Sequence, residues 1–165
     1  MAGLGHLGFG FAAKPITPKV HLVVLLIATE LIDILWGIFY FTGIDGGSVG
    51  ISTSPWSHGL FMAVIWSLLA GLIANRIYCD HRSGIVICLL VFSHWVIDFI
   101  THPMGAIFGG KPLPSDLPLF FNNSPKVGLG LYNHSFTIAI VTDLGMLIIG
   151  LVIYFRYRIK RKLKQ

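Results

Sequence analysis

Acidic residues and histidines recur inside the most apolar stretches of this chain. Four of its seven acidic residues lie within segments that otherwise consist mainly of hydrophobic side chains: Glu30, Asp33, Asp98 and Asp143. Histidines accompany them at positions 58, 94 and 102. A carboxylate at the centre of a bilayer costs at least about 2.5–3.5 kcal/mol, so a group of this kind needs a partner or a function.

The spacing of these residues places them on common helix faces. Glu30 and Asp33 are three residues apart, while His94, Asp98 and His102 follow one another at intervals of four. Residues three or four positions apart are neighbours on a helix surface. Because a helix does not turn such a polar stripe toward lipid, we expect the stripe to face the interior of a helix bundle.

Three kinds of chemistry fit this set. Carboxylate oxygen and imidazole nitrogen suit zinc, manganese or iron, and three protein ligands with an open position make a catalytic centre. Chains of carboxylates and histidines also carry protons or ions across membranes. Buried polar pairs can instead be structural and fix the register of helices. The convergence of several acids and histidines from at least three segments favours a functional site.

The composition identifies the bilayer as the solvent of the chain. Its 165 residues are 55% hydrophobic and only 12% charged, against about 25% charged in an average soluble domain. The mean hydropathy is +0.78, and a soluble chain of this size could not bury that much apolar surface. The sequence therefore excludes a soluble enzyme, a nucleic-acid module and a disordered tail. Cys79 and Cys88 support neither a disulfide framework nor a CxxC metal pair.

Four apolar segments are long enough to cross about 30 Å of hydrocarbon. They cover approximately residues 20–42, 57–78, 84–102 and 135–155. The predicted fold is therefore an all-α integral membrane protein with four transmembrane helices in a single domain, residues 1–165.

The segments outside the spans differ in character. The glycine-rich apolar segment before residue 20 is too short for a fifth span, and we expect it to be half-inserted or to lie on the surface. Residues 43–56 form a Gly/Ser-rich outer loop, and residues 103–134 a long Pro/Gly-rich one. Apolar side chains in the long loop predict that it folds back over the bundle, and a loop of this length is more often functional than idle.

The orientation follows from the placement of Lys and Arg. Four of these cations lie before the first span or between the second and third, and six lie after the fourth; Lys111 and Lys126 alone fall on the other side. The positive-inside rule therefore predicts that both termini are cytoplasmic. A basic run directly after a span, here within residues 156–165, is typical of a cytoplasmic anchor on anionic lipid, and it argues against a nucleic-acid partner.

The predicted spans place the polar residues at similar depths. With a rise of about 1.5 Å per residue, Asp33, Asp98 and Asp143 lie roughly 18–21 Å from the cytoplasmic ends of their spans. Glu30 and His94 lie at about 15 Å on the same scale. The antiparallel helices therefore bring carboxylates and an imidazole to one level, and the candidate site lies in the outer half of the bilayer.

Several sequence elements, taken in order, resemble a known family. They are GH-x-x-x-G around His6, E-x-x-D ending at Asp33, S-P-W-S-H-G around His58, and S-H-W-x-x-D with His94 and Asp98. This order is similar to that of the predicted membrane-bound metal-dependent hydrolases of bacteria and archaea, also described as LexA-binding inner-membrane proteins. Members show a His near the N-terminus, then P-D-x-D, T-H-S and H-x-x-x-D elements. The resemblance covers roughly residues 5–102, with ELID and SPWSHG in place of the second and third elements.

The resemblance and the residues together lead to one prediction. They imply a hydrolase of the inner (plasma) membrane in which a divalent metal, zinc or else manganese or iron, activates water. The candidate ligands are Asp33, His58, His94 and Asp98, with His6 and His102 as additional candidates and Glu30 as the general base. A site at this depth would act on a membrane lipid or a lipid-linked phosphate or ester.

Two alternative functions use the same residues. The first is a small protein that moves protons or ions through the buried acids and histidines. The second is a non-catalytic subunit of a membrane complex, in which the acids hold helices together. Asp143 has only Thr142 and Gly145 as notable neighbours in the sequence, so a hydrogen bond between helices explains it as well as a role in the site.

Overall fold

The computed structural model describes residues 3–44, 54–108, 111–121 and 123–164, so residues 45–53 of the shorter predicted loop lie outside the described residues. Within these ranges almost all regular structure is helical. Four helices are long and apolar enough to cross a membrane: α2 (Leu22–Thr42), α4 (Leu60–Tyr78), α5 (His81–Thr101) and α7 (Phe136–Lys162). The prediction of a mostly helical protein with four helices long and apolar enough to span a membrane is thereby confirmed.

Local signals set the ends of these helices. The α5 helix begins after Asp80, whose carboxylate accepts hydrogen bonds from the N–H and the hydroxyl of Ser83. The α7 helix begins in the same way, with the Ser135 hydroxyl accepting from the N–H of Ile138. Gly43 ends α2 in the left-handed conformation, with φ of 73°, which glycine adopts without strain.

The helix bounds differ from those predicted most clearly in the second and fourth spans. The second apolar segment is interrupted at Gly59, where extended dihedrals separate a one-turn helix, α3 (Pro55–His58), from α4. A Cβ at Gly59 would overlap the carbonyl oxygen of Pro55, so the break packs backbone against backbone. The α7 helix continues to Lys162 and includes most of the basic run predicted as a separate tail.

The α5 helix lies at the centre of the bundle. Half of its most apolar window is buried, against 17–28% for the corresponding windows of the other three long helices. It packs closely against α4 where Gly71 and Gly84 face each other, because a Cβ on either glycine would meet the carbonyl oxygen of the other. On its other sides α5 contacts α1 and α2.

The short N-terminal helix, α1 (Leu4–Ala13), is inserted between α7 on one side and α2 and α5 on the other. Its Gly8 lies directly against the backbone at Met146 and Gly150 of α7, and Gly10 lies against Leu25 of α2. Ten residues span about 15 Å, half the thickness of a bilayer's hydrocarbon. The α1 helix therefore accompanies α7 over only part of its length.

Residues 103–134 return to the ends of the long helices. They contain α6 (Gly105–Phe108) and an antiparallel pair, β1 (Leu117–Pro118) with β2 (Lys126–Val127). The N–H groups of Leu129, Leu131 and Tyr132 donate to carbonyl oxygens in the last turn of α5. We call the half of the bundle that carries this segment the loop half, and the half that carries Lys14 and Lys162 the tail half.

Candidate functional site

Six polar side chains from several elements meet at the centre of the bundle. We call them the His/Asp cluster; they are His6 of α1, Asp33 of α2, His58 of α3, His94 and Asp98 of α5, and His102 directly after α5. Each is a residue that the sequence proposed as a ligand or an additional ligand. The structure thus brings together residues that lie up to 96 positions apart in the chain.

Asp98 is the common neighbour of the four imidazoles. Its Oδ2 lies 3.4 Å from Nε2 of His94 and 3.6 Å from Nε2 of His58. Its Oδ1 lies 3.6 Å from Nε2 of His6 and 4.0 Å from Nε2 of His102. Asp98 is only 3% exposed, and Oδ2 has no hydrogen-bond partner among the described residues. A buried carboxylate oxygen surrounded by nitrogens that it does not hydrogen-bond is an expected position for a bound cation.

Asp33 completes the cluster from α2 and marks its open side. Its Oδ1 lies 3.2 Å from Nε2 of His58 and 3.6 Å from Nε2 of His94. The Asp33 side chain is 48% exposed, whereas those of His58 and His94 are 1% exposed. A small molecule would therefore approach the cluster at Asp33.

Hydrogen bonds on the far side of the rings aim Nε2 of His94 and His58 into the cluster. The Nδ1–H of His94 donates to the carbonyl oxygen of Thr29 at 2.6 Å. The hydroxyl of Ser57 forms a hydrogen bond with Nδ1 of His58 at 3.0 Å. Metal-ligating histidines almost always donate their second ring N–H in this way, which fixes the tautomer and the ring orientation.

The one-turn helix α3 owes its position to two tryptophans. The indole N–H of Trp95, one residue after His94, donates to the carbonyl oxygen of His58 at 3.0 Å. Trp36 of α2 donates to the hydroxyl of Ser54 at 3.0 Å. These bonds tie the break at Gly59 to both neighbouring helices and hold the His58 ring against Asp33.

The histidines at the edges of the cluster have different surroundings. The ring of His6 lies over that of His94, with centroids 4.0 Å apart. Burial, with the nearby His94, lowers the pKa of His6 to about 4, so its imidazole is neutral at pH 7 and able to bind a metal. His102 donates from Nδ1 to Oδ2 of Asp116 at 3.1 Å, which attaches residues 103–134 to the cluster.

The ligand atoms are close enough together to hold a metal ion. The nitrogens and oxygens of Asp33, His58 and His94 lie within 4.8 Å of one another, as do those of His6, His94 and Asp98. A tetrahedral zinc site with bonds of about 2.0–2.1 Å has ligand atoms roughly 3.3–3.4 Å apart. The N···O distances of 3.2–3.6 Å around Asp33 Oδ1 and Asp98 Oδ2 are close to that spacing.

The two remaining acidic candidates lie on the tail-half side of the cluster. Glu30 is one turn from Asp33 on the same face of α2, and its Oε1 is buried without a hydrogen-bond partner among the described residues. It belongs to neither group of candidate ligands. Asp143 of α7 accepts a hydrogen bond from the N–H of Gly5 at 3.0 Å, and so holds the start of α1 against α7.

Sequence reasoning did not find the residues that orient the histidines. Thr29 acts through its backbone carbonyl, for which no sequence signal exists. Trp95 acts through a hydrogen bond to His58 that depends on a contact between distant parts of the chain. Asp116 carried a usable signal, because it is the one acidic residue in the segment 103–134.

No protein-family model, no curated protein and no solved structure matches this chain.

Proposed function

We propose that this protein is a membrane-embedded, metal-dependent hydrolase that acts on a lipid or a lipid-linked phosphate or ester. The observation that carries the proposal is the arrangement around the imidazole nitrogens of His58 and His94. Oxygens of Asp33 and Asp98 lie 3.2–3.6 Å from both Nε2 atoms. Asp33, His58 and His94 would hold one divalent ion between them, with Asp98 as the neighbouring acidic ligand and His6 and His102 on its other oxygen.

The donor set favours zinc, with manganese or iron as the other ions of matching chemistry. Two imidazole nitrogens with carboxylate oxygens are the ligands that zinc takes in catalytic sites. Such an ion, when bound, lowers the pKa of a coordinated water and polarises the bond that is to be cleaved. The exposed side of Asp33 leaves a direction from which water and substrate can approach.

Glu30 is the group best placed to move the proton of the attacking water. Glu30 lies one helical turn before Asp33 in the chain, on the side of the tail half. One of its carboxylate oxygens has no hydrogen-bond partner among the described residues. A general base must lie within hydrogen-bond reach of the proton that it removes, directly or through one water. Glu30 would serve a water bound beside Asp33 at the His/Asp cluster.

The proposed setting is the inner (plasma) membrane, with the loop half of the bundle in the outer half of the bilayer. Four apolar spans and the distribution of Lys and Arg support this orientation. The turn at Lys14 and the tail after α7 would then be cytoplasmic. The resemblance to predicted membrane-bound metal-dependent hydrolases agrees in the order of His6, Asp33, His58 and His94 with Asp98.

Elemental analysis of the detergent-purified protein tests the proposal. We expect about one equivalent of zinc, manganese or iron per chain, lost in His94→Ala and Asp98→Ala while the helical content is retained. Asp143→Asn is the matched control, because it changes a carboxylate that has a backbone hydrogen-bond partner outside the cluster, and it should keep its metal.

The outcomes separate the proposed function from its alternatives. If the well-folded wild-type protein took up none of the three metals, the proposed hydrolase function would be overturned. Proton flux into liposomes, abolished in Asp98→Ala, would then assign the cluster to ion movement. Metal that remains in both His94→Ala and Asp98→Ala would place the ion elsewhere and contradict the site.

A further inference from the structure

Among the described residues, α1 lies between α2 and α7 only in the tail half, and we call the space left between these two helices in the loop half the gap. The first turn of α1 lies beside the middle of both helices. The N–H of Gly5 donates to Asp143 of α7, and a Cβ at Gly3 would lie 3.8 Å from the Glu30 carboxylate of α2. From there α1 continues toward the tail half only, reaching Ala13. In the loop half, α1 is therefore not present to separate the two helices.

The face of α2 that follows Glu30 opens into this gap. Asp33 and Gly37 lie on that face, one turn apart, and the Asp33 side chain is 48% exposed. No heavy atom of the described residues beyond its chain neighbours and its own helix backbone lies within 4 Å of the position that a Cβ on Gly37 would occupy. The gap thus begins at the His/Asp cluster and continues along α2 toward the loop half.

The walls of the gap are apolar and face the bilayer. On α2, Ile34 and Phe41 are 43% and 85% exposed. On α7, Phe136 and Ile140, which share the helix face of Asp143, are 57% and 42% exposed. A lipid chain lying between α2 and α7 would contact hydrocarbon on both sides, with its polar end at Asp33.

A second apolar groove does not compete for this role. It has a volume of about 460 Å³ and is lined by α2, α4 and α5. Its α2 residues include Leu31 and Leu35, which lie on the side of that helix opposite Asp33. None of its lining residues belongs to the His/Asp cluster, so a lipid in that groove would not reach the cluster.

The charges of the cluster select among polar groups that could enter. One divalent cation is balanced by Asp33 and Asp98, and Glu30 adds a further carboxylate. Among the described residues, the only Lys or Arg that forms a salt bridge is Lys19, with Asp80 at the tail half. Lys111 and Lys126 of the loop half are exposed. An anionic phosphate would find no net positive charge here and would be repelled by the additional carboxylate of Glu30. An uncharged carbonyl group would not be repelled.

We infer that the gap between α2 and α7 admits an uncharged lipid acyl ester sideways from the bilayer, and that this ester is the substrate of the cluster. The inference rests on the proposed function and narrows its substrate from lipid phosphates and esters to carboxylic esters. The oxygen of water adds to the ester carbonyl carbon, and the acyl–oxygen bond breaks. Glu30 takes a proton from that water and returns it to the departing alkoxide, so one fatty acid and one alcohol leave.

The substrate class is tested with four chromogenic compounds and one preparation. Zinc- or manganese-loaded protein in nanodiscs of ether-linked lipid is given p-nitrophenyl palmitate, p-nitrophenyl acetate, p-nitrophenyl phosphate and bis(p-nitrophenyl) phosphate. We expect the palmitate ester to be cleaved fastest, both phosphates to remain intact, and Asp98→Ala to lose at least 100-fold of the activity on palmitate, because loss of an outer hydrogen-bond partner alone already costs roughly 10–100-fold. Cleavage of a phosphate but of neither ester would overturn the inference and leave the hydrolase standing. Metal-loaded protein that cleaves none of the four compounds would overturn the proposed function as well.

The entry route is tested by filling the gap at Gly37. The series Gly37→Ala, Gly37→Leu and Gly37→Phe adds increasing bulk where the structure shows free space. We expect the KM for the palmitate ester to rise along the series, while metal content and activity on the short acetate ester stay near those of the wild type. Gly145→Phe is the matched control, because a Cβ on Gly145 also meets no described atom within 4 Å, and Gly145 lies on the opposite face of α7 from Asp143.

Either of two results would overturn the route. If Gly37→Phe and Gly145→Phe had equal effects on the palmitate ester, the bulk added at Gly37 would not act on an entry path. If Gly37→Phe, with wild-type metal content, cleaved palmitate as fast as the wild-type protein, the lipid would reach the cluster by another path. The small Gly37→Ala variant keeps the test valid should the larger side chains disturb folding.

Discussion

The Nδ1 atom of His94 lies 2.6 Å from the carbonyl oxygen of Thr29. In an α-helix that carbonyl also accepts the N–H of the residue four positions later, which here is Asp33. One backbone oxygen of α2 therefore fixes the ring of His94 and takes part in the turn that carries Asp33. The distance of 3.6 Å between His94 Nε2 and Asp33 Oδ1 follows from this shared anchor.

The anchor allows the two nitrogens of His94 to be tested separately. In His94→Asn the amide NH₂ can still donate to the Thr29 carbonyl, but the ligand atom Nε2 is lost. We expect metal affinity to fall by more than the roughly 10–100-fold that follows loss of an outer hydrogen-bond partner. We also expect the thermal midpoint of the metal-free protein to stay near that of the wild type. Titration with a metal indicator, together with thermal unfolding of the apoprotein, measures both quantities.

His94→Ala provides the comparison for this variant. It removes Nε2 and also leaves the space of a buried ring empty, so its apoprotein should unfold at a lower temperature than that of His94→Asn. Retention of wild-type metal affinity by His94→Asn would show that Nε2 is not a ligand.

The contact of α1 with α7 gives a prediction about stability. A Cβ at Gly150 would overlap the backbone of Gly8, so Gly150→Ala must push the two helices apart. We expect a loss of about 1–3 kcal/mol in the free energy of unfolding, as for other overpacked sites. Metal affinity should also fall, since His6 moves with α1 away from Asp98. Thermal unfolding and metal titration in detergent measure these effects.

Gly145→Ala is the control for this prediction, because it lies in the same helix and meets no described atom within 4 Å. Alanine has a higher helix propensity than glycine, so Gly145→Ala should be neutral or stabilising by up to about 1 kcal/mol. Equal stability of Gly150→Ala and the wild type would contradict the close packing of α1 against α7.

The positions of Asp33, His94 and Asp98 could be anticipated from the sequence because they depend on regular geometry. A fixed rise per residue converts each position in a span into a depth, and a fixed turn angle identifies the residues that share a face. The same reasoning gave four spans, but it assigned His58 to the start of the second, whereas His58 lies in the one-turn helix α3 before that span begins. These properties require only that each span is a helix, which apolar length already indicates.

The insertion of α1 could not be derived in the same way. It depends on Gly8 meeting Gly150 and on Gly5 meeting Asp143, and these contacts join residues about 140 positions apart. No local periodicity encodes such pairs. The break at Gly59 is similar, since it is held by a hydrogen bond between Trp95 and the His58 carbonyl. The sequence therefore predicted the candidates of the cluster but not the contacts that orient them.

The hydrogen bond between Gly5 and Asp143 predicts that the oxygen of Asp143 matters more than its charge. Asp143→Asn keeps a carbonyl oxygen that can accept from the N–H of Gly5, whereas Asp143→Leu removes it. We expect the Asn variant to unfold near the wild-type temperature. The Leu variant should lose about 1–3 kcal/mol, the usual result of leaving a buried N–H unsatisfied. An equally large loss in both variants, measured by thermal unfolding, would assign Asp143 a role that needs its negative charge.

The pair of His102 and Asp116 predicts a role in holding residues 103–134 against the bundle. His102 lies 4.0 Å from Asp98 Oδ1 and belongs to neither group of candidate ligands, whereas its Nδ1 lies 3.1 Å from Asp116. We expect Asp116→Ala to increase the rate of proteolytic cleavage within this segment and to keep one equivalent of metal. Exposed Ser115→Ala is the control for a change in the same segment. Loss of the metal from Asp116→Ala would instead make His102 a ligand that depends on Asp116.

The orientation of the bundle can be tested at a native cysteine. Cys79 is exposed at the end of α4, in the tail half, whereas Cys88 is part-buried within α5. If the tail half faces the cytoplasm, a membrane-impermeant maleimide should label Cys79 in inverted vesicles and leave it unlabelled in intact cells. Ser115→Cys in a Cys79→Ala background places the thiol on the exposed loop-half segment and should show the reverse pattern. Labelling of Cys79 from outside intact cells would reverse the assignment and place the opening at Asp33 in the inner half of the bilayer.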